Sequence, residues 1–156
     1  MSDDLSDPLY RRELLRLAAD ATGAGHLPAA DATASLHNPA CGDRVTIELG
    51  LDFSKEAGGR ITALAHVTHG CVLTQASAAL LAGTAAGRDT AGLTALADSV
   101  RVFLKSGLKG EPAPPNLPKG YEVFDGVIGH AGRHVCVMLP LEAALKALDS
   151  ARQVHT

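Results

Sequence analysis

Two stretches in the middle of the chain alternate apolar and polar residues. The first is Arg44–Asp52 and the second is Arg60–Thr68, with a turn expected at Lys55–Gly59. Because successive side chains of a strand point to opposite faces, each stretch is expected to form a half-buried strand. Two such strands joined by a Gly-containing loop predict an antiparallel hairpin. The fold must therefore contain an antiparallel sheet.

Helical periodicity flanks the hairpin on both sides. Asp7 is expected to cap a first helix, Pro8 to occupy its first turn and Gly23 to end it. After the hairpin, apolar residues recur at the spacing of an amphipathic helix. The remaining expected helices are Cys71–Gly87, Thr90–Ser106 and, with Pro140 in its first turn, Leu139–Ala151.

Three segments show no clear period. Gly23–Asn38 is rich in Gly, Ala and Pro and is expected to be loop or weakly extended chain, whereas Gly107–Gly120 contains four prolines and cannot form regular structure. Tyr121–Gly129 is ambiguous, with a short helix as one interpretation. The whole pattern predicts a single α+β domain over residues 1–156, in which helices pack on one face of a small antiparallel sheet.

Charge and composition exclude several classes of protein. The net charge is −3, and no run of Lys and Arg is interleaved with aromatic residues, so a nucleic-acid partner is not expected. No apolar stretch approaches the roughly 20 residues that span a bilayer. The first residues are acidic, unlike a secretory signal. We therefore expect a cytoplasmic protein without a membrane partner.

The three cysteines fall at the ends of the predicted elements. Cys41 lies in a turn just before the first strand, and Cys71 lies where the second strand ends and a helix begins. Cys136 follows Arg133–Val135, which is expected to be extended, and precedes the terminal helix. An odd number of cysteines in a reducing compartment favours free, metal-binding or catalytic thiols over a disulfide framework.

This placement is compatible with a shared metal site but does not distinguish it from unrelated thiols. Cys71 and Cys136 are both expected near helix N-termini, which lower the pKa of a thiol. Asp43 can supply an oxygen from the same turn as Cys41, giving four ligands suited to Zn²⁺ or an iron–sulfur cluster. The sequence contains no C-x-x-C motif. Buried or unrelated thiols therefore stay open as an alternative.

The residues around the cysteines resemble a known family. Asn38-Pro39-Ala40-Cys41-Gly42-Asp43, Gly70-Cys71 and Cys136 before a final amphipathic helix are similar to the U-type iron–sulfur scaffolds, the IscU, SufU and NifU N-terminal domain group. The resemblance extends from about Leu9 to Ala147. The Pro-rich segment, Val135 directly before the third cysteine and Arg133 are most similar to the SufU-like branch.

This resemblance implies a fold with a three-stranded antiparallel sheet and helices on one side (SufE/NifU-like). It implies that Cys41, Asp43, Cys71 and Cys136 bind Zn²⁺ or a [2Fe–2S] cluster, with Cys136 as the sulfur acceptor. The implied partners are a cysteine desulfurase of the SufS/IscS type and downstream apo-proteins or cluster carriers. Such a protein is a scaffold or sulfur acceptor more than an enzyme.

Two further residues are candidate site residues, and three other functions are compatible with the sequence. Arg133 can stabilise a thiolate or persulfide, or pair with an acidic surface residue. If the segment is extended, His134 points the same way as Cys136 and can act as an alternative ligand or proton shuttle; the other interpretation is an exposed His or one that contacts the ligands without binding the metal. A Zn-dependent persulfide sulfurtransferase without a scaffold role is one alternative function. A thiol enzyme with His69 or His134 as base is another. A domain stabilised by structural zinc is the third.

Overall fold

The structure, a computed structural model, describes residues 8–40, 42–55, 58–106, 114 and 117–155, with backbone alone at 8–10, 154 and 155. The described part of the chain forms helices and strands in the order α, three β, then helices. In chain order they are α1 (Pro8–Asp20), β1 (Ala32–Asn38), β2 (Asp43–Asp52), β3 (Arg60–His69), α2 (Val72–Thr84), α3 (Thr90–Leu104), a 3-10 helix (Tyr121–Val127) and α4 (Ala131–His155).

The three strands form one antiparallel sheet in the order β1-β2-β3. Alternate residues of the central strand, Val45, Ile47 and Leu49, are fully buried on one face. Helix α4 packs against β1 and β2, and α2 and α3 pack against α4. The burial of this face against the helices supplies the apolar core. The predicted α+β fold with a three-stranded sheet is confirmed.

Strand β1 (Ala32–Asn38) refines the expectation of loop or weakly extended chain over Gly23–Asn38, because the second half of that segment is a regular strand. Its inward residues, Ala32 and Ala34, are buried but small, and so give a weak alternating signal. Backbone hydrogen bonds to β2 stabilise the strand, because its small side chains bury little apolar area. The Asp31 backbone N–H donates to the Leu49 carbonyl (2.8 Å), and the Asp31 carboxylate accepts from the Leu51 N–H (2.8 Å). The strand exists because its backbone groups pair with β2.

The segment after α1 also differs from expectation. The helix ends at Asp20, and Gly23 lies beyond it against the outer edge of β3. Its carbonyl accepts from the His66 N–H (3.0 Å), and a Cβ at this glycine would lie only 2.5 Å from the Ala82 Cβ. The glycine is therefore required by close packing. The predicted cap, Asp7, lies outside the described residues.

Helix α4 is longer than the predicted Leu139–Ala151 and contains Pro140 in its interior. The expectation that Arg133–Val135 is extended is wrong, since these residues are in its first two turns. The helical form buries Cys136 and Val137 against the core, a gain that local propensity does not register. The Pro140 nitrogen has no proton, so it cannot donate to the Cys136 carbonyl four residues earlier.

The remaining predictions are mostly upheld. Helices α2 and α3 lie within their predicted ranges, and the ambiguous segment contains the 3-10 helix. Most of Gly107–Gly120 lies outside the described residues. Within the described part of the chain, no helix combines the length and apolarity needed to cross a membrane.

Candidate metal centre

Strand register brings the first two site residues together. Asp43 begins β2, and its neighbour Arg44 pairs with His69 near the end of β3. The chain leaves β3 through Gly70, where an added Cβ would lie 2.8 Å from the Cγ and Oδ1 atoms of Asp43. Only a glycine lets the backbone approach the carboxyl group this closely. Cys71 therefore follows directly beside Asp43.

The Asp43 carboxylate is buried, with 4% of the residue exposed, and receives hydrogen bonds on both oxygens. The Cys71 backbone N–H donates to Oδ1 (3.2 Å), and the Thr74 hydroxyl donates to Oδ2 (2.5 Å). Cys71 is the N-cap residue of α2, so the carboxylate also lies at the positive end of that helix. These donors stabilise the charged form in a buried place.

Cys71 lies where the sequence predicted it, at the junction of β3 and α2. The residue is exposed, and its Sγ atom is 3.5 Å from Asp43 Oδ2 and 3.5 Å from Thr74 Oγ1. Thr74 was missed by sequence reasoning. The available signal was its position three residues after Cys71, which places the two side chains on the same face of a helix.

Cys136 reaches the site from α4 and differs from expectation. It is the sixth residue of that helix, beyond the first turn, and only 7% of it is exposed. Burial raises the pKa of its thiol well above the usual range, and the neighbouring Cys71 thiol raises the pKa further. The expected lowering of the thiol pKa by a helix N-terminus is therefore wrong for Cys136, because desolvation dominates.

The three side chains form one compact cluster of potential ligands. The ligand atoms of Asp43, Cys71 and Cys136 lie within 4.8 Å of one another, at a cleft of about 370 Å³. Bond lengths of about 2.3 Å to sulfur and about 2.0 Å to oxygen place tetrahedral sulfur and oxygen ligands of Zn²⁺ about 3.5 Å apart. The observed distance from Cys71 Sγ to Asp43 Oδ2 is 3.5 Å. These donors therefore fit a small thiophilic cation.

The other predicted site residues have different positions. Arg133 is exposed and lines the same cleft. His134 lines a separate cleft and donates from Nε2 to the Val127 carbonyl (2.8 Å). It does not point the same way as Cys136, because residues two apart in a helix lie on nearly opposite faces. Cys41 lies outside the described residues, between Ala40 and Gly42 of the β1–β2 connection.

Comparison with known proteins places the chain in a family. The sequence profile described as "NifU-like N terminal domain" matches residues 9–110. Among solved structures, a nitrogen-fixing NifU-like protein (N-terminal) from Brucella abortus is 25% identical, with a TM-score of 0.78 over 96% of this chain and 98% of that one. A candidate iron–sulfur cluster assembly scaffold protein for the SUF system from Fervidobacterium islandicum AW-1 is 19% identical. Its TM-score is 0.74 over 92% of this chain and 96% of that one.

The search among curated proteins returned no match. The profile nevertheless covers well over half of the chain, including Asp43 and Cys71. The Brucella abortus structure covers nearly all of it with the same fold. The chain therefore belongs to the NifU-like N-terminal domain family, as its resemblance to the U-type scaffolds predicts.

Proposed function

We propose that this protein acts in iron–sulfur cluster assembly, holding a metal ion or a nascent [2Fe–2S] cluster on Cys41, Asp43, Cys71 and Cys136. The observation that carries the proposal is the convergence of the last three, from β2, the α2 N-terminus and α4, on one cleft. Family membership supports the same role. Cys41 is proposed as the fourth ligand from its place in the sequence, two residues before Asp43.

The spacing of the donors fits one metal ion. All three ligand atoms lie within 4.8 Å of one another, which suits a shared tetrahedral centre. Three thiolates and one carboxylate would close that centre around Zn²⁺. A bound metal ion supplies the means to deprotonate the thiols, including the Cys136 thiol, whose pKa burial raises.

Sulfur acceptance follows as the second part of the proposal. A persulfide on a SufS/IscS-type cysteine desulfurase carries the sulfur to be transferred. The Cys136 thiolate would attack its terminal sulfur, the S–S bond would break, and the desulfurase thiolate would leave. Cys136 would then carry the persulfide, and Arg133 at the cleft would pair with its negative charge. Apo-proteins or cluster carriers would receive the product.

A Zn-bound sulfurtransferase without a scaffold role is the second candidate, because the spacing of the donors fits a single Zn²⁺ ion. The thiol-enzyme alternative loses support for the pair of Cys136 and His134. It needs a thiol of lowered pKa beside a histidine, but the Cys136 pKa is raised and His134 donates to the Val127 carbonyl.

Metal analysis of protein purified without oxygen tests the proposal. We expect either one Zn²⁺ per chain without colour, which indicates the sulfur-acceptor form, or iron and sulfide with visible absorbance, which indicates the scaffold form. Asp43→Ala and Cys71→Ser should each lower the metal content, whereas Asp98→Ala, which removes an exposed carboxylate on α3 paired with Arg101, should retain it.

Sulfur transfer is followed by incubating the protein with a desulfurase and cysteine and locating the persulfide by mass spectrometry. The label should appear on Cys136 and be lost in Cys136→Ser. Wild-type protein that holds no metal, together with a Cys136→Ser variant that still accepts sulfur, would contradict both forms of the proposal.

A further inference from the structure

Thr74 is fully buried in the first turn of α2 and is bonded in an unusual way for a helical threonine. Threonine hydroxyls inside helices commonly donate to a carbonyl three or four residues earlier. Thr84, in the same helix, does so by donating to the Leu80 carbonyl (2.9 Å). The corresponding carbonyl for Thr74 belongs to Gly70 and accepts instead from the Gln75 side chain (2.9 Å). The Thr74 hydroxyl is thus directed away from its own helix.

That hydroxyl donates to Oδ2 of Asp43 at 2.5 Å, the shortest contact of the cluster. The Cys71 backbone N–H holds the other carboxylate oxygen (3.2 Å). Because the two donors act on different oxygens, they fix both the position and the rotation of the carboxylate plane. A carboxylate oxygen has more than one lone pair, so Oδ2 can accept this bond and still act as a ligand.

Thr74 also links Asp43 to the first thiol. Its Oγ1 atom lies 3.5 Å from Cys71 Sγ, and Asp43 Oδ2 lies 3.5 Å from the same sulfur. A hydroxyl has a single proton, and here the Asp43 carboxylate takes it. When no metal is bound, the single proton of the Cys71 S–H group can be donated either to the oxygen of Thr74 or to Asp43 Oδ2. One buried side chain holds two of the ligands at the spacing of a tetrahedral centre.

We propose that Thr74 is a positioning residue of the metal centre, which holds the Asp43 carboxylate in the orientation that lets Oδ2 act as a ligand. This inference rests on the proposed function, since it concerns the same ligands. Groups that hydrogen-bond to metal ligands orient them, and their loss typically weakens metal binding by about 10–100-fold. Thr74 would therefore contribute to metal affinity without touching the ion.

The test compares Thr74→Val, which keeps the shape and removes the hydroxyl, with Thr74→Ser, which keeps the hydroxyl. Thr84→Val is the matched control, because it makes the same change in the same helix away from the site. Zn²⁺ dissociation constants are measured by competition with a chelator without oxygen. We expect Thr74→Val to bind about 10–100-fold more weakly, and Thr74→Ser and Thr84→Val to bind within about threefold of wild type.

Two measurements distinguish a positioning role of Thr74 from general damage to the fold: the absorption spectrum of bound Co²⁺, and Zn²⁺ affinity in a variant that already carries Asp43→Ala. Co²⁺ bound in place of Zn²⁺ reports ligand number and geometry by its visible absorption. Thr74→Val should alter those bands, and Thr74→Ser should restore them. In an Asp43→Ala background, Thr74→Val should weaken Zn²⁺ binding no further, because the carboxylate that Thr74 positions is gone.

Three results would overturn the inference. The first is wild-type affinity and an unchanged Co²⁺ spectrum in Thr74→Val. The second is an equal loss of affinity from Thr74→Val with and without Asp43, which indicates an effect through helix packing. The third is wild-type protein that binds neither Zn²⁺ nor Co²⁺. Only that third result also contradicts the proposed metal site. The wild-type titration alone therefore distinguishes failure of the proposed function from failure of the inference about Thr74.

Discussion

Gly70→Ala tests whether the close approach of the β3–α2 junction to Asp43 holds the site together. The added methyl group would lie 2.8 Å from two carboxyl atoms and 3.2 Å from the Asp43 Cβ. An ordinary contact begins near 3.4 Å, so one group must move by about 0.6 Å. The carboxylate cannot move away freely, since it is buried and bonded to Thr74 and to the Cys71 N–H.

The expected cost follows from those contacts. Overpacking a well-packed site costs about 1–3 kcal/mol. If the carboxylate yields, loss of its charge-assisted bond to Thr74 costs a similar amount, about 1.5–3 kcal/mol. We therefore expect Gly70→Ala to lower the free energy of unfolding of the metal-free protein by about 2 kcal/mol. With a urea m-value of about 2 kcal/mol/M, the midpoint should fall by about 1 M.

The assay is equilibrium urea unfolding of metal-free protein under reducing conditions, followed by far-UV circular dichroism. Gly83→Ala is the control, because an added Cβ at that helical position has no neighbour within 4 Å among the described residues. Its removal of backbone freedom should raise stability by up to about 1 kcal/mol. A Gly70→Ala midpoint within about 0.25 M of wild type would refute the account of Gly70 as a packing requirement.

Three further predictions concern the buried hydroxyl groups of Tyr121 and Ser77. The Tyr121 hydroxyl is buried without a hydrogen-bond partner among the described residues, so Tyr121→Phe should leave the free energy of unfolding unchanged or raise it by about 1 kcal/mol. Burial raises the folded-state pKa of Tyr121 from 10.0 to about 12. Between these values the hydroxyl ionises in the unfolded chain but not in the folded one, so the free energy of unfolding of wild type is unaffected below pH 10 and falls as pH rises towards 12. Unfolding curves between pH 9 and pH 11.5 should accordingly fall more steeply for wild type than for Tyr121→Phe, and parallel curves would contradict the assignment. Ser77 donates to the Val137 carbonyl (2.6 Å) where α2 meets α4, so Ser77→Ala should cost about 1 kcal/mol in urea unfolding, and an unchanged midpoint would show that this contact adds no net stability.

The candidate site was partly predictable because its chemistry is concentrated in short segments. The change of period at Gly70 predicts that Cys71 lies at the N-terminus of a helix, and in the structure this residue is the N-cap of α2. The turn containing Asp43 predicts a carboxylate near it. What the turn does not predict is the burial of that carboxylate or its bond to Thr74, since both depend on how β2 and α2 meet.

Cys136 shows the limit of local reasoning most clearly. The residues before it, Arg133–Val135, are expected to be extended, and a thiol between an extended stretch and a helix N-terminus would have a lowered pKa. In the folded chain the same residues are helical, the thiol is buried and its pKa is raised. His134 lines another cleft for the same reason. Residues two apart in a strand point to the same face, whereas in a helix they lie on nearly opposite faces.

The sequence by itself determined the β2–β3 hairpin and helices α2 and α3, because period and turn chemistry are encoded within a few residues of each feature. Only the tertiary structure decided that Ala32–Asn38 is a strand, that α4 begins at Ala131 and that Thr74 holds Asp43. Each of these depends on groups distant in the chain. Burial and backbone pairing between such groups outweigh the weak preferences of the local sequence.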